Sequence, residues 1–297
     1  MQLHFIYRLA LPAALIFVVQ LTGTTAAQQD DLAAVLKRAG QYVQQYEDRD
    51  LGSLLASEYY LQNATRYSPD GRGIVLGREE RRTQADFLIL ALGADRIGLR
   101  IVNRLNGNMV KAPVTSFDSM MDGSPAKIRE SIKAVQDESS RYNIGQVLRK
   151  INVPTFALKV AREAEVDRFS FKKSGNDKIS GIETWELKFQ EKRSPTLVHG
   201  ERGESLLSSG SLWIDPGTGR IVKTELKVEN PFSTPPVKGR IVVSYTANKA
   251  LGILVPSEMT EGYETVESVV TCIANYSGFR SFKVDASSVI GPVVTDK

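Results

Sequence analysis

Cysteine and histidine are almost missing from this chain of 297 residues. It has one cysteine, Cys272, and two histidines, His4 and His199. A single thiol closes no internal disulfide, so stability must come from packing. Cys272 lies in the β-like run Ser268-Val-Val-Thr-Cys-Ile-Ala, which suits a buried, inert thiol better than a nucleophile. Every histidine-based triad beyond the N-terminus would rest on His199, in Pro195-Thr-Leu-Val-His-Gly-Glu, a loop-like setting. There is no Gly-x-Ser-x-Gly elbow, no His-Glu-x-x-His, no Asp-x-Asp-x-Asp-Gly loop and no Gly-Lys-Ser phosphate cradle. The sequence therefore assigns no catalytic residue, no metal ligand and no cofactor.

What is present starts with an export signal. Arg8 precedes an apolar run from Leu9 to Leu21, which ends at the small residues Thr24-Thr25-Ala26-Ala27. A positive start, a short apolar centre and a small-residue cleavage site define a secretory leader, here residues 1–27. The run is shorter than the ~18 residues that cross a bilayer, so no integral membrane span is expected after cleavage. No cysteine stands at the cleavage point to take a lipid. The expected mature protein, residues 28–297, is periplasmic or secreted. The formal charge is +4, and the leader removes only Arg8 from it. So small an excess calls for no nucleic-acid partner.

The mature chain then changes period. Leu32, Val35, Leu36, Ala39, Tyr42, Val43 and Tyr46 recur at helical spacing, so residues 31–57 read as helical, with a second short helix over Leu51 to Ser57. Glu58–Tyr67, Arg81–Leu92 and Ile97–Leu105 read as strands, with a tight turn at Asn106-Gly107-Asn108. Ser124-Pro125 opens a helix running to about Tyr142. Val147-Leu148 and Phe156 onward suggest a shorter one, giving a helical insert at about 124–163. From residue 166 strands follow in series: 167–173, 179–191, 206–214, 220–229, 239–247, 254–263, 266–276 and 280–284. Strands without intervening helices pair antiparallel. The fold class is α+β, in one β-rich domain.

Two polar patterns need weighing. Glu258, Glu261, Glu264 and Glu267 recur every three residues, but Pro256 and Gly262 favour strand over helix, so a solvated rim is expected. Asn63-Ala-Thr65 and Asn275-Tyr-Ser277 match the glycosylation acceptor pattern, which matters only in a eukaryotic secretory route.

Ser211-Leu-Trp-Ile-Asp-Pro-Gly-Thr-Gly-Arg-Ile-Val-Lys-Thr224 resembles the strand, Trp-x-Asp-x-x-Thr-Gly, strand hairpin of LolA/LolB-like proteins, the bacterial lipoprotein localisation factors. Ser140-Arg-Tyr-Asn-Ile-Gly145, Asn152-Val-Pro-Thr155, Val255-Pro-Ser-Glu-Met-Thr-Glu-Gly-Tyr263 and Ala274-Asn-Tyr-Ser-Gly-Phe-Arg-Ser-Phe282 resemble a group of uncharacterised secreted bacterial proteins. The carrier resemblance implies a strongly curved antiparallel sheet, a half-barrel, with the N-terminal and mid-chain helices covering its concave face. It also implies an apolar ligand or lipid in the hollow.

With the catalytic inventory empty, the expected function is a non-enzymatic envelope protein binding a lipid or other apolar ligand. Candidate lining residues are Tyr42, Tyr46, Phe87, Phe156, Leu158, Trp185 and Trp213, the large apolar residues of the helices and strand faces. Two alternatives stand beside it. One is a structural module that binds an envelope protein. The other is a hydrolase using carboxylates alone, which needs two of them converging in a cleft.

Overall fold

The computed structural model describes residues 23–47, 53–92, 95–112, 115–145, 151–200 and 202–282. Most of the expected leader, Val147-Leu148 and the chain after Phe282 lie outside the described residues.

Helix α1 (Gly23–Gln45) comes first, and its first residues fall within the expected leader. Strands β1 (Ser53–Tyr67), β2 (Val75–Leu92), β3 (Asp95–Leu105) and β4 (Asn108–Met109) follow as a meander. Helices α2 (Phe117–Met121) and α3 (Pro125–Ser140) come next, then a 3₁₀ segment, Phe156–Ala161. The second half holds β5 (Phe169–Ile179), β6 (Ile182–Glu191), β7 (Val198–His199), β8 (Ser205–Leu206), β9 (Ser208–Ile214), β10 (Ile221–Asn230), β11 (Val237–Asn248), β12 (Ile253–Glu264) and β13 (Ser268–Ser281).

Eleven strands form one open sheet in the order β4-β3-β2-β1-β13-β12-β11-β10-β9-β6-β5, and β7-β8 make a separate hairpin. Every pairing is antiparallel. Among the described residues the first and last strands, β1 and β13, are neighbours, so pairing them joins the β1–β4 meander to the strands of the second half. The turns divide between two edges. Those after β1, β10 and β12 lie at the Tyr67 end, and those after β5, β9 and β11 at the opposite, Asp215 end.

Alternation sends successive side chains to opposite faces, and here both faces are used. Leu54, Tyr60, Phe87 and Ile89 join the larger core with Leu32, Val35, Ala39 and Val43 of α1 and Leu158 of the 3₁₀ segment. Leu55, Leu88, Leu99 and Ile101 join a second core with Phe117 and Met120 of α2 and Ile128, Ile132 and Val135 of α3. Leu54 pairs with Ile89 and Leu55 with Leu88, so the two cores lie on opposite faces of the same strands. This corrects the expected layout. α1 and the 3₁₀ segment cover one face, called inner here, while α3 of the insert, with α2 just before it, covers the other.

A second correction concerns Leu51–Ser57. Ser53 to Ser57 belong to β1, not to a helix. Leu54, Leu55 and Ala56 are all buried because helices cover both faces at this point.

Two glycines answer backbone demands, one a close contact and one a tight turn. Gly219 adopts φ +76° in the turn after β9, and a Cβ there would stand 2.4 Å from the Arg38 carbonyl group of α1. The turn also accepts a hydrogen bond at the Pro216 carbonyl from Arg38 Nε (2.9 Å). At Asn106-Gly107 both residues have positive φ, 49° and 86°, as a two-residue hairpin turn requires.

Candidate functional site

The inner face is sealed over most of its area. Under α1 the packing is dense: Tyr46, Phe87 and Leu158 are buried, and Tyr42 and Phe156 pack half-buried beside them. Tyr42 and Tyr46 stack with centroids 5.7 Å apart. A buried ion pair lies among these residues. Arg100 donates from Nε to Glu58 Oε2 (2.7 Å) and from Nη2 to Glu58 Oε1 (3.0 Å), with a further bond to the Asn152 carbonyl (3.2 Å). Its guanidinium sits 4.6 Å from the Phe87 ring centroid. Burial alone would lower the Arg100 pKa, but Glu58 outweighs it and holds the guanidinium above its ordinary value. Burial, together with Glu58, pushes the Tyr276 phenol well up.

The four-glutamate stripe divides. Glu258 pairs with Asn275 and Glu264 with Lys238, and both are exposed. Glu261 turns to the opposite, inner face and is buried. Its carboxylate accepts from Tyr60 Oη at 2.8 Å and from Tyr263 Oη at 2.5 Å. The rim expectation is therefore wrong for Glu261. The three do not converge on one cleft, as carboxylate-only hydrolysis requires. No group of His, Cys, Asp and Glu suited to a metal ion occurs among the described residues.

At the Tyr67 end the seal stops. There a pocket of about 350 Å³ opens, its floor formed by Val228, Gly239 and Tyr263 of β10, β11 and β12. One wall is the β7–β8 hairpin, with Val198 and Leu206; the other is the 230–237 loop, with Phe232 and Pro235. His199, Arg202 and Asn230 stand among its polar lining residues. A second hollow of about 460 Å³ lies between the β1–β2 and β12–β13 turns and shares Pro235.

The hairpin wall is pinned by a buried carboxylate. Glu191, at the end of β6, accepts from Leu197 N (2.6 Å), Ser208 N (3.0 Å) and Ser208 Oγ (2.8 Å). Thr196 Oγ1 donates to the Val198 carbonyl (2.7 Å) and accepts from Leu206 N (3.1 Å). These bonds satisfy the backbone of a segment that no large sheet supports.

None of the seven expected lining residues lines either of these two hollows, but Trp213 lines a third, more open hollow of the outer face beside Glu186, Lys223 and Glu225. Tyr42, Tyr46, Phe87, Phe156 and Leu158 are packed in the inner core. Trp185 is half-buried beneath Lys173 Nζ, 3.5 Å from its ring centroid. Trp213 pairs with Glu186 and Lys223 on the outer face, its ring 4.6 Å from Lys223 Nζ. The residues that do line the pocket come from four stretches of chain far apart in sequence. Two of these stretches carry a local signal: Pro195-Thr-Leu-Val-His-Gly-Glu reads as a loop, and the prolines of Asn230-Pro-Phe-Ser-Thr-Pro-Pro236 mark a loop between neighbouring strands.

No family model matches the sequence, and no curated protein does. Among solved structures, the chain is similar to a domain described as an outer membrane lipoprotein-sorting protein from Vibrio parahaemolyticus, with 12% identity, 82% of this chain and 92% of that one covered, and a TM-score of 0.38. It is also similar to a DUF1329 family protein from Desulfovibrio piger (12% identity, 84% and 92% covered, TM-score 0.36). A third likeness is to a LolA superfamily protein from Nitrosomonas europaea (13% identity, 87% and 97% covered, TM-score 0.34). The likeness is one of fold, and what the pocket holds must be argued from this chain's own residues.

Proposed function

We propose that this is an exported, non-enzymatic binding protein of the cell envelope that shelters the apolar part of a lipid-like ligand in the pocket at the Tyr67 end. One observation supports this reading above the others. The sheet face that α1 seals elsewhere is met here, over Val228, Gly239 and Tyr263, by the β7–β8 hairpin and the 230–237 loop, which leave a hollow where the apolar Val198, Leu206, Phe232 and Pro235 stand beside polar groups. Its volume, about 350 Å³, falls in the range of small-molecule sites. The apolar side chains take a hydrocarbon body, and His199, Asn230 and the Arg202–Glu204 pair suit a polar head. No helix among the described residues is long and apolar enough to cross a membrane.

Gly239 offers a clean test. A Cβ there would meet Tyr263 ring atoms at 3.7 Å, an ordinary contact, so a side chain fits the fold and projects into the pocket. Hexadecanoic acid titrated into the processed protein should bind, and native mass spectrometry of detergent-free protein should show a bound apolar species. Gly239→Leu should abolish both while costing less than about 1.5 kcal/mol of stability. Equal binding by the two proteins would remove the pocket from consideration.

A further inference from the structure

The large exposed apolar side chains are not spread evenly. Ile74, Val75 and Leu76 lie at the β1–β2 turn, Leu207 at the start of β9, Phe232 in the β10–β11 loop and Val266 in the β12–β13 turn. All six stand at the Tyr67 end. Leu76 is 62% exposed, Phe232 54% and Val266 71%. The remaining three, Tyr59, Ile273 and Met109, lie within strands away from either edge. No large exposed apolar residue occurs in the described turns of the Asp215 end. The β1–β2 and β12–β13 turns are held side by side by a bond from Tyr67 N to the Glu267 carbonyl (2.8 Å). Both hollows open along the same edge, and Leu76 and Phe232 each line one of them.

The geometry points to this edge as a surface that docks on a lipid bilayer bearing anionic headgroups, with Leu76, Phe232 and Val266 entering the acyl region. Three features favour a bilayer over a folded partner. The apolar residues sit on four separate segments, three of them at the β1–β2 turn and one each at the others, spread from β2 to β9, six strand spacings or roughly 29 Å. A folded partner needs a contiguous, well-packed patch, whereas a line of projecting tips suits a soft plane. Cations flank the tips: Arg72 and Arg78 bracket Ile74–Leu76, Arg202 heads the β7–β8 turn and Lys238 follows the β10–β11 loop. The Arg202 and Lys238 side chains are well exposed, and their contacts to Glu204 (3.6 Å) and Glu229 (3.7 Å) are long, solvent-reached pairs that headgroup phosphates can replace. Finally, the pocket opens between the tips, so an acyl chain could pass from bilayer to pocket without crossing water. That last step rests on the pocket reading above, whereas the docking itself does not.

Flotation of the processed protein with vesicles separates the two. Vesicles of phosphatidylcholine with phosphatidylglycerol should carry the wild-type protein at low salt, and phosphatidylcholine alone should carry less. A Leu76→Asp, Leu207→Asp, Val266→Asp variant, which leaves the pocket lining intact, should float at least tenfold less. Because all three sites are exposed, it should keep its melting temperature and its binding of hexadecanoic acid added from solution. Gly239→Leu should show the converse, floating normally without binding the fatty acid. A Val266→Trp variant gives a second readout that needs no loss of function: its added emission should shift to the blue and be quenched by brominated lipid. Docking is overturned if wild-type protein fails to float at low salt, if the triple variant floats equally, or if the Val266→Trp emission ignores lipid. It also falls if the protein instead self-associates in solution and Leu76→Asp abolishes that association, which would make the edge a contact between copies. Each of those results leaves the pocket reading to its own test.

Discussion

The inner face of one sheet is treated in two ways. Toward the Asp215 end, α1 and the 3₁₀ segment lie on it so closely that Gly40 comes within 3.1 Å (from its Cβ position) of the Ala161 carbonyl oxygen. Even the polar groups there are locked together, as Glu58 and Arg100 are. Toward the Tyr67 end, the same strands run out from beneath the helix and are met only by a short hairpin and a loop. The strands do not change in kind between the two regions; the cover does. A single sheet can thus be core at one end and binding surface at the other.

The sharpest way to break this comparison is to attack the sealed region. Arg100→Met leaves Glu58 as a buried carboxylate without its cation, a loss of about 3–5 kcal/mol in other proteins. Urea denaturation should show a fall of that size. Adding Glu58→Leu to Arg100→Met should recover part of it, because the unpaired charge is then gone. Fatty-acid binding by whatever fraction stays folded should be unchanged. A cost below about 1 kcal/mol would mean that water reaches the pair, and the contrast between the ends would fail.

The open region should respond in the other order, function before stability. Glu191→Ala strips one acceptor from three donors that hold the β7–β8 hairpin. The expected stability loss is about 1.5–3 kcal/mol, in keeping with bonds to a charged acceptor. Affinity for hexadecanoic acid should fall tenfold or more in the same titration, since a pocket wall is loosened. Glu191→Gln, which keeps the shape, should fall between. Unchanged affinity in Glu191→Ala would show that the hairpin is not a working wall.

The sheet was legible in the sequence wherever one face meets water. β10 and the Asn106-Gly107 hairpin follow from alternation and turn chemistry alone. The reading failed at Leu54-Leu55-Ala56, where helices cover both faces. A strand buried on both sides loses its period-two signature and looks like helix. Glu261 was misread for a related reason: its partner Tyr60 lies 201 residues away, and nothing local marks the carboxylate as buried. The pocket was illegible because its floor and walls come from separate hairpins, each an ordinary sequence. The seven aromatic and aliphatic candidates were chosen for size, and size is what the core at the other end selects.

The smallest effect comes from a pair that resembles Glu58–Arg100 but sits on β10 and β11, on the part of the outer face that the α2–α3 core does not include. Glu225 accepts from Arg240 Nε at 2.6 Å and lies 3.1 Å from Lys227 Nζ. Burial alone would raise its pKa, but Lys227 and Arg240 outweigh that and hold it below the ordinary 4.5. A carboxyl whose folded pKa is depressed contributes stability above its unfolded value and loses it as pH falls. The contribution should therefore be complete near neutrality and disappear as pH drops through 4.5 and below. Both cations are more than half exposed, so the amount should stay under about 1 kcal/mol. Urea midpoints for wild-type and Glu225→Gln protein, compared near pH 7 and below pH 4, should converge in acid and differ slightly at neutrality. High salt should shrink even that difference, because solvent reaches this pair as it does not reach the one under α1. If the gap is large and salt-insensitive, the outer face is covered by something the chain itself does not supply.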